Sequence, residues 1–107
     1  MSTLKIKDTC TVIIDANKQQ RISYLHFADK RICKIIREVA YNILLNETIK
    51  LEDKEKKYMR RKIKDIRTLA SKFTSIHDRR ELLVKQHLLI KKIAKITLRH
   101  LATLKNA

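Results

Sequence analysis

The sequence predicts a small all-α protein: a three-helix domain with helices over about residues 29–46, 52–72 and 75–104, behind an irregular or hairpin N-terminal segment. Three observations predict it. The chain has 107 residues, 44% of them hydrophobic, which suits one small domain with a core and not two. It contains no Gly and no Pro. The usual residues of tight turns and positive-φ positions are therefore missing, and long helices joined by short polar links are the natural outcome. From residue 29 onward, apolar residues recur at helical spacing. Residues 1–28 then read as an N-terminal appendage and 29–107 as the basic helical domain.

In residues 1–28, Thr9-Cys10-Thr11-Val12-Ile13-Ile14 is β-branched and reads as a strand. Asp15-Ala16-Asn17-Lys18 is turn-like. Ile22-Ser23-Tyr24-Leu25-His26-Phe27 reads as a second strand or the lead into a helix. Asp29 is a fair N-cap for the first long helix. Ile32, Ile35, Ile36, Val39, Ala40, Ile43 and Leu44 follow the i, i+3, i+4, i+7 repeat, with Lys30, Arg31, Lys34, Arg37 and Glu38 on the polar face. Asn46 can close this helix, because Asn tolerates the left-handed conformation. Ile49 and Leu51 anchor the next link. Glu52, Asp53 and Glu55 suit the start of the second helix. Met59, Ile63, Ile66, Ala70 and Phe73 step by four, three, four and three along it, one helical face, and Tyr58 and Phe73 are expected in the core. Thr74-Ser75 breaks it, and Ser75-Ile76-His77-Asp78 is a capping-box pattern opening the third helix. Leu83, Ile90, Ala94, Thr97, Leu101 and Leu104 make its apolar seam, with Leu82, Leu89, Ile93 and Ile96 widening it.

The formal net charge is +15, from 26 Lys and Arg against 11 Asp and Glu. Such an excess in a small chain favours a polyanionic partner, nucleic acid first and an anionic membrane surface second. The excess is uneven: residues 50–72 hold ten Lys and Arg against four acids, and residues 73–107 hold eight against two. Without Gly there is neither a P-loop nor a dinucleotide fingerprint. Cys10 and Cys33 stand far apart without metal-ligand spacing and read as buried or free thiols, not a zinc site or disulfide. The four histidines are scattered. Asp65 and Glu38 sit among cations as ion-pair partners, and Ser75 is a cap before it is a nucleophile. No catalytic constellation, metal site or cofactor site emerges, so no enzymatic activity is expected. No signal peptide opens the chain, and no apolar run approaches 18 residues. An intracellular protein, in a nucleus or a virion, is expected, and Asn46-Glu47-Thr48 reads as a chance sequon.

Electrostatics then carries the functional expectation. Arg60, Arg61, Lys64 and Arg67, with Arg79 and Arg80 across the Thr74-Ser75 turn, are expected to form a continuous patch. Lys91, Lys92, Lys95 and Arg99 extend the set of candidate phosphate contacts along the third helix. Arg bridges two phosphate oxygens, and Lys supplies a flexible point charge. Aromatic content is only 5%, which disfavours recognition of single strands by stacking. Nothing resembles a helix that reads base edges, so backbone contact without sequence preference is the economical expectation, with duplex DNA favoured. Neutralising about six phosphates would give a slope near −5 of log K against log salt. A membrane-active or capsid-associated protein using the basic amphipathic helix over 82–104, an RNA scaffold of ribosomal type, and a protein-interaction module are the other classes. Capsid protein, an anionic membrane and a second copy of the chain stand as further partners.

Residues 31–86 also resemble a known family. Ile36-Arg37-Glu38-Val39-Ala40-Tyr41-Asn42-Ile43-Leu44 resembles the "E-(I/V)-A-Y-N-(I/V)-L" core of short basic proteins encoded by Polinton (Maverick) elements and their adintovirus relatives. Ile66-Arg67-Thr68-Leu69-Ala70-Ser71-Lys72 resembles that family's "(I/L)-R-x-L-A-x-K". Ser75 and Arg79-Arg80-Glu81-Leu82-Leu83-Val84-Lys85-Gln86 resemble its "S-x-x-x-(K/R)-R-x-L-L-V-x-Q". The motifs stand in order over about half of the chain. Where the family continues with Gly-Gly-Phe-Leu, this chain has His87-Leu88-Leu89-Ile90, so no role of that glycine-containing tail carries over. The family's members look like small virion proteins, similar in kind to the basic core proteins of adenoviruses. The resemblance implies a viral or mobile-element origin and a place beside packaged double-stranded DNA.

Overall fold

The computed structural model describes residues 3–105, and these form seven helices and no strand. They are α1 (Thr3–Asp15), α2 (Lys18–His26), α3 (Lys30–Leu45), α4 (Asp53–Arg61), α5 (Ile63–Ala70), α6 (Ile76–Lys85) and α7 (His87–Lys105). The all-α class follows the sequence. The helix count does not, and the differences have physical reasons.

The N-terminal segment is helical where a strand or hairpin was expected. Ile6, Thr9, Cys10 and Ile13 lie at i, i+3, i+4 and i+7, and that face packs on α7. The β-branched run is a weak preference, and burial against a long partner overrides it. A helix also satisfies its own backbone, whereas a lone hairpin leaves two open edges. Asn17 turns the chain into α2 with a capping box: its side chain accepts from Gln20 N at 2.8 Å, and Gln20 Oε1 accepts from Asn17 N at 3.0 Å. Cys10, Ile13 and Leu25 belong to the same core as α3–α7, so the segment is packed in and not an appendage.

The expected caps form. Asp29 Oδ1 accepts from Ile32 N at 2.9 Å, and Ser75 Oγ from Asp78 N at 3.1 Å. Glu52 and Glu55 make a capping box at the start of α4. Asn46 ends α3 differently from expectation. Its φ of −87° is not left-handed, and its Oδ1 instead accepts from Thr48 N and Oγ1. Ile49 and Leu51 anchor the following link against the core.

The two long helices expected over 52–72 and 75–104 are each broken once, at Lys62 and Gln86. Each break lets the two halves bury against different partners. α5 lies on α3, whereas α4 reaches α7 through the side-chain pairs Glu55–Arg99 and Tyr58–Lys92; α6 lies on α2, and α7 on α1. The breaks are tied together. Lys62 Nζ donates to Gln86 Oε1 at 3.3 Å, and Gln86 Nε2 donates to Asp65 Oδ2 at 2.8 Å. Phe73, expected in the core, lies beyond the end of α5 and is 97% exposed.

Helix C-termini pose a particular problem here. A glycine in the left-handed conformation usually satisfies the last carbonyls. This chain has no Gly, and no described residue takes a positive φ. Arginine side chains take over. Arg21 Nη1 donates to Ala16 O beyond α1 at 3.2 Å, Arg80 Nε to Ala28 O beyond α2 at 2.7 Å, and Arg99 Nη2 to Lys50 O in the link after α3 at 2.9 Å. Arg79, only 5% exposed, donates to Leu69 O, Ser71 O and Thr74 O at the end of α5. Replacing Arg79 with Lys keeps the charge but loses the fork, leaving at least one carbonyl unpaired. About 2 kcal/mol of stability should go with it. Urea unfolding checks this: the midpoint should fall with an unchanged slope, and an unmoved midpoint would reject the capping role.

Candidate nucleic-acid interface

α4 and α5 carry the densest exposed charge. Arg60 on α4 and Lys64 and Arg67 on α5 are all exposed on either side of the Lys62 break. Met59, Ile66 and Leu69 hold the opposite face in the core. Arg61 turns aside toward Tyr58, its guanidinium carbon 5.7 Å from the ring centre. Lys92 of α7 brings Nζ to 5.6 Å from the same ring. One aromatic ring thus gathers cations from two helices. Burial raises the Tyr58 phenol above its ordinary pKa, with Arg61 opposing, so the ring stays neutral between them.

Between the two helix breaks lies an open cleft of about 490 Å³, lined by Tyr58, Arg61, Lys62, Lys85, Gln86 and His87, with Leu88 at its rim. Its carboxylate neighbour, Asp65, is occupied by Gln86. His87 Nδ1 accepts from Arg21 Nε at 3.2 Å, which places the ring proton on Nε2. Desolvation, then Arg21 and Lys18, hold His87 below its ordinary value. Cations from α4, the Lys62 break and α6 (Arg61, Lys62 and Lys85) therefore converge here on one concave surface suited to an anion.

The ten candidate phosphate contacts divide. Arg60, Arg61, Lys64 and Arg67 are exposed, as are Lys92 and Lys95; Lys91 is half-buried. Arg79, Arg80 and Arg99 are committed elsewhere. Arg79 is buried against carbonyls, and Arg80 is tied to Ala28 O. Arg99 grips Glu55 with two bonds of 2.7 and 3.0 Å and lies 3.7 Å from Glu52. That grip holds the Glu55 carboxyl below its usual range. The continuous patch expected from Arg60 through Arg80 is therefore not formed, because both arginines of α6 point inward.

Other cations were legible but passed over. Lys30, Lys34 and Arg37 stand at i, i+4 and i+7 on α3 and meet Lys72 in a second cleft. Glu38 pairs with Arg37 at 3.7 Å, whereas Asp65 reaches across to Gln86 and has no intrahelical cation as its partner. His77, Asp78 and Glu81 bring possible metal-ligating atoms within 4.8 Å of one another on α6, all exposed, with His77 Nε2 3.3 Å from Glu81. Cys10 and Cys33 are both buried, and burial pushes the Cys10 thiol up to about 12. No helix among the described residues is long and apolar enough to cross a membrane. No protein-family model matches the chain, and neither does any curated protein or solved structure.

The His87 geometry predicts a pH response. A histidine held below its unfolded value of 6.5 contributes stability above that pH and loses it as pH falls toward the folded value. The thermal midpoint should drop from pH 7 to pH 5.5, and His87→Asn, which keeps an acceptor near Nδ1, should show a smaller drop. Identical pH profiles for the two proteins would remove His87 from this account.

Proposed function

We propose that this chain binds the backbone of double-stranded DNA without sequence preference, and that Arg60, Arg61, Lys64 and Arg67, with Lys92 and Lys95, carry the contact. One observation supports this above others. Ion pairs among the described residues engage Arg37, His77 and Arg99, and none of those six cations has a carboxylate within 4.0 Å. Their charge is left for an external anion. Phosphodiester oxygens on a regular spacing suit a group of Arg and Lys and need no base contact. The role is binding and condensation and not catalysis. The resemblance over residues 31–86 supports a place in a viral or mobile-element particle, hence in a nucleus or a virion.

The interfacial-helix alternative is less well supported. The apolar face of α7, with Leu89, Ile90, Ile93 and Ile96, is buried in the core. Lying on a bilayer would require α7 to undock from α1 and α3.

Nuclease-treated protein titrated with a labelled 30-base-pair duplex, from low to high salt, tests the proposal. Binding should be indifferent to sequence and steeply salt-dependent. Replacing Arg60, Arg61, Lys64 and Arg67 together with Gln should weaken binding and flatten the slope by about 3.6, at 0.9 per phosphate contact. Unchanged affinity in the folded variant would take this surface out of the interface. No binding at low salt would end the DNA reading.

A further inference from the structure

The link between α5 and α6 presents an unusual pairing of groups. Phe73 is 97% exposed, the highest value among the exposed large hydrophobic side chains. Beside it lies a shallow cleft of about 250 Å³ whose lining includes Lys30, Lys34, Arg37, Lys72 and Thr74, and no carboxylate. The cations come from α3 and from the link itself, so only the folded chain collects them. The link is braced: Phe73 N donates to Ser71 Oγ at 3.1 Å, Thr74 Oγ1 donates to Thr68 O at 2.8 Å, and Arg79 holds Ser71 O and Thr74 O from below. The phenyl ring is therefore held out into water on a fixed backbone. Phe27, 75% exposed, sits at the same end of the molecule, next to the Ala28 carbonyl that Arg80 of α6 holds.

A ligand that rewards this arrangement has a flat aromatic face with anions on either side. A nucleobase with its flanking phosphates has both. Proteins use such apolar side chains as wedges between duplex base steps or as stacking platforms for single strands. A concave set of cations beside one phenyl suits a phosphodiester strand with a base turned onto the ring better than a flat layer of lipid headgroups.

We propose that the α5–α6 link is a second nucleic-acid contact, in which Phe73 stacks on a base while Lys30, Lys34 and Lys72 hold the neighbouring phosphates. The base comes from a partly opened duplex step or from a single strand. This contact rests on the nucleic-acid reading above, and it adds to the α4–α5 surface a contact that involves bases.

The chain contains no Trp, so Phe73→Trp gives a single fluorescent reporter at the link. The variant is titrated at low salt with a mixed-sequence duplex, with the matched single strand, and with phosphatidylserine-containing vesicles. Quenching of the emission by the duplex assigns a wedge, and quenching by the single strand alone assigns a stacking platform. Phe73→Ala should weaken the same binding about tenfold, as loss of one stacked base does, and leave the salt slope unchanged because no charge is lost. Lys30, Lys34 and Lys72 changed together to Gln should instead lower the slope by about 2.7. A Lys5 and Lys7 to Gln control on α1 should leave the slope as it was. Nucleic-acid binding with unchanged Trp emission, or full affinity in Phe73→Ala, overturns this proposal and leaves the α4–α5 surface standing. A slope lowered equally by the control overturns the cleft. A blue shift on vesicles without quenching by nucleic acid gives the link to a membrane instead. Absence of any nucleic-acid binding by the wild-type chain removes both readings together.

Discussion

A helical chain without glycine must close its helices some other way, and arginine is the solution here. Each helix leaves carbonyls unpaired at its C-terminal end, and burying them unpaired costs about 1–3 kcal/mol apiece. Arg21 of α2, Arg79 and Arg80 of α6 and Arg99 of α7 reach carbonyls at the end of α5 or in the links after α1, α2 and α3. Because the guanidinium is a planar fork with five donors on three nitrogens, one side chain reaches separate acceptors, whereas a lysine offers its three donors from a single nitrogen. Arg79 is the extreme case. It closes α5, fixes the 71–75 link and sits in the core at 5% exposure.

This constraint reshapes the functional picture. A count of basic residues treats every Arg and Lys as available to a polyanion. The fold withdraws four arginines for its own backbone and one of those, Arg99, also for Glu55. What remains outside is mostly lysine, together with Arg31 and Arg37 on α3 and the Arg60, Arg61 and Arg67 group on α4 and α5. The division has an electrostatic logic. Guanidinium groups are weakly hydrated and tolerate burial with several acceptors, while ammonium groups keep their water and stay on the surface.

The two helix breaks matter in the same way. Lys62 and Gln86 hydrogen-bond to each other, so α4–α5 and α6–α7 bend at the same level. The bends send the two halves of each long segment to different partners and open the cleft where Arg61, Lys62, Lys85 and His87 meet. At the other end of the α5–α6 pair, the link carries Phe73 beside the cations of α3. Charge is thus gathered at both ends of one helical hairpin.

The sequence by itself determined the all-α class, the long apolar face of α3, the caps at Asp29, Glu52 and Ser75, and the strong positive charge on α4 and α5. All of these depend on neighbours within a few residues, and helical spacing encodes them directly. The tertiary structure decided the rest. α1 is a helix because α7 covers its Cys10 and Ile13 face, a contact between the two ends of the chain that local β-branched preference opposes. The breaks at Lys62 and Gln86 carry no Pro or Gly and follow from what each half packs against. Phe73 continues the apolar repeat of its helix, yet it is exposed because α5 stops at Ala70. Which arginines face inward was likewise hidden, since a guanidinium finds its carbonyls only once another helix ends beside it.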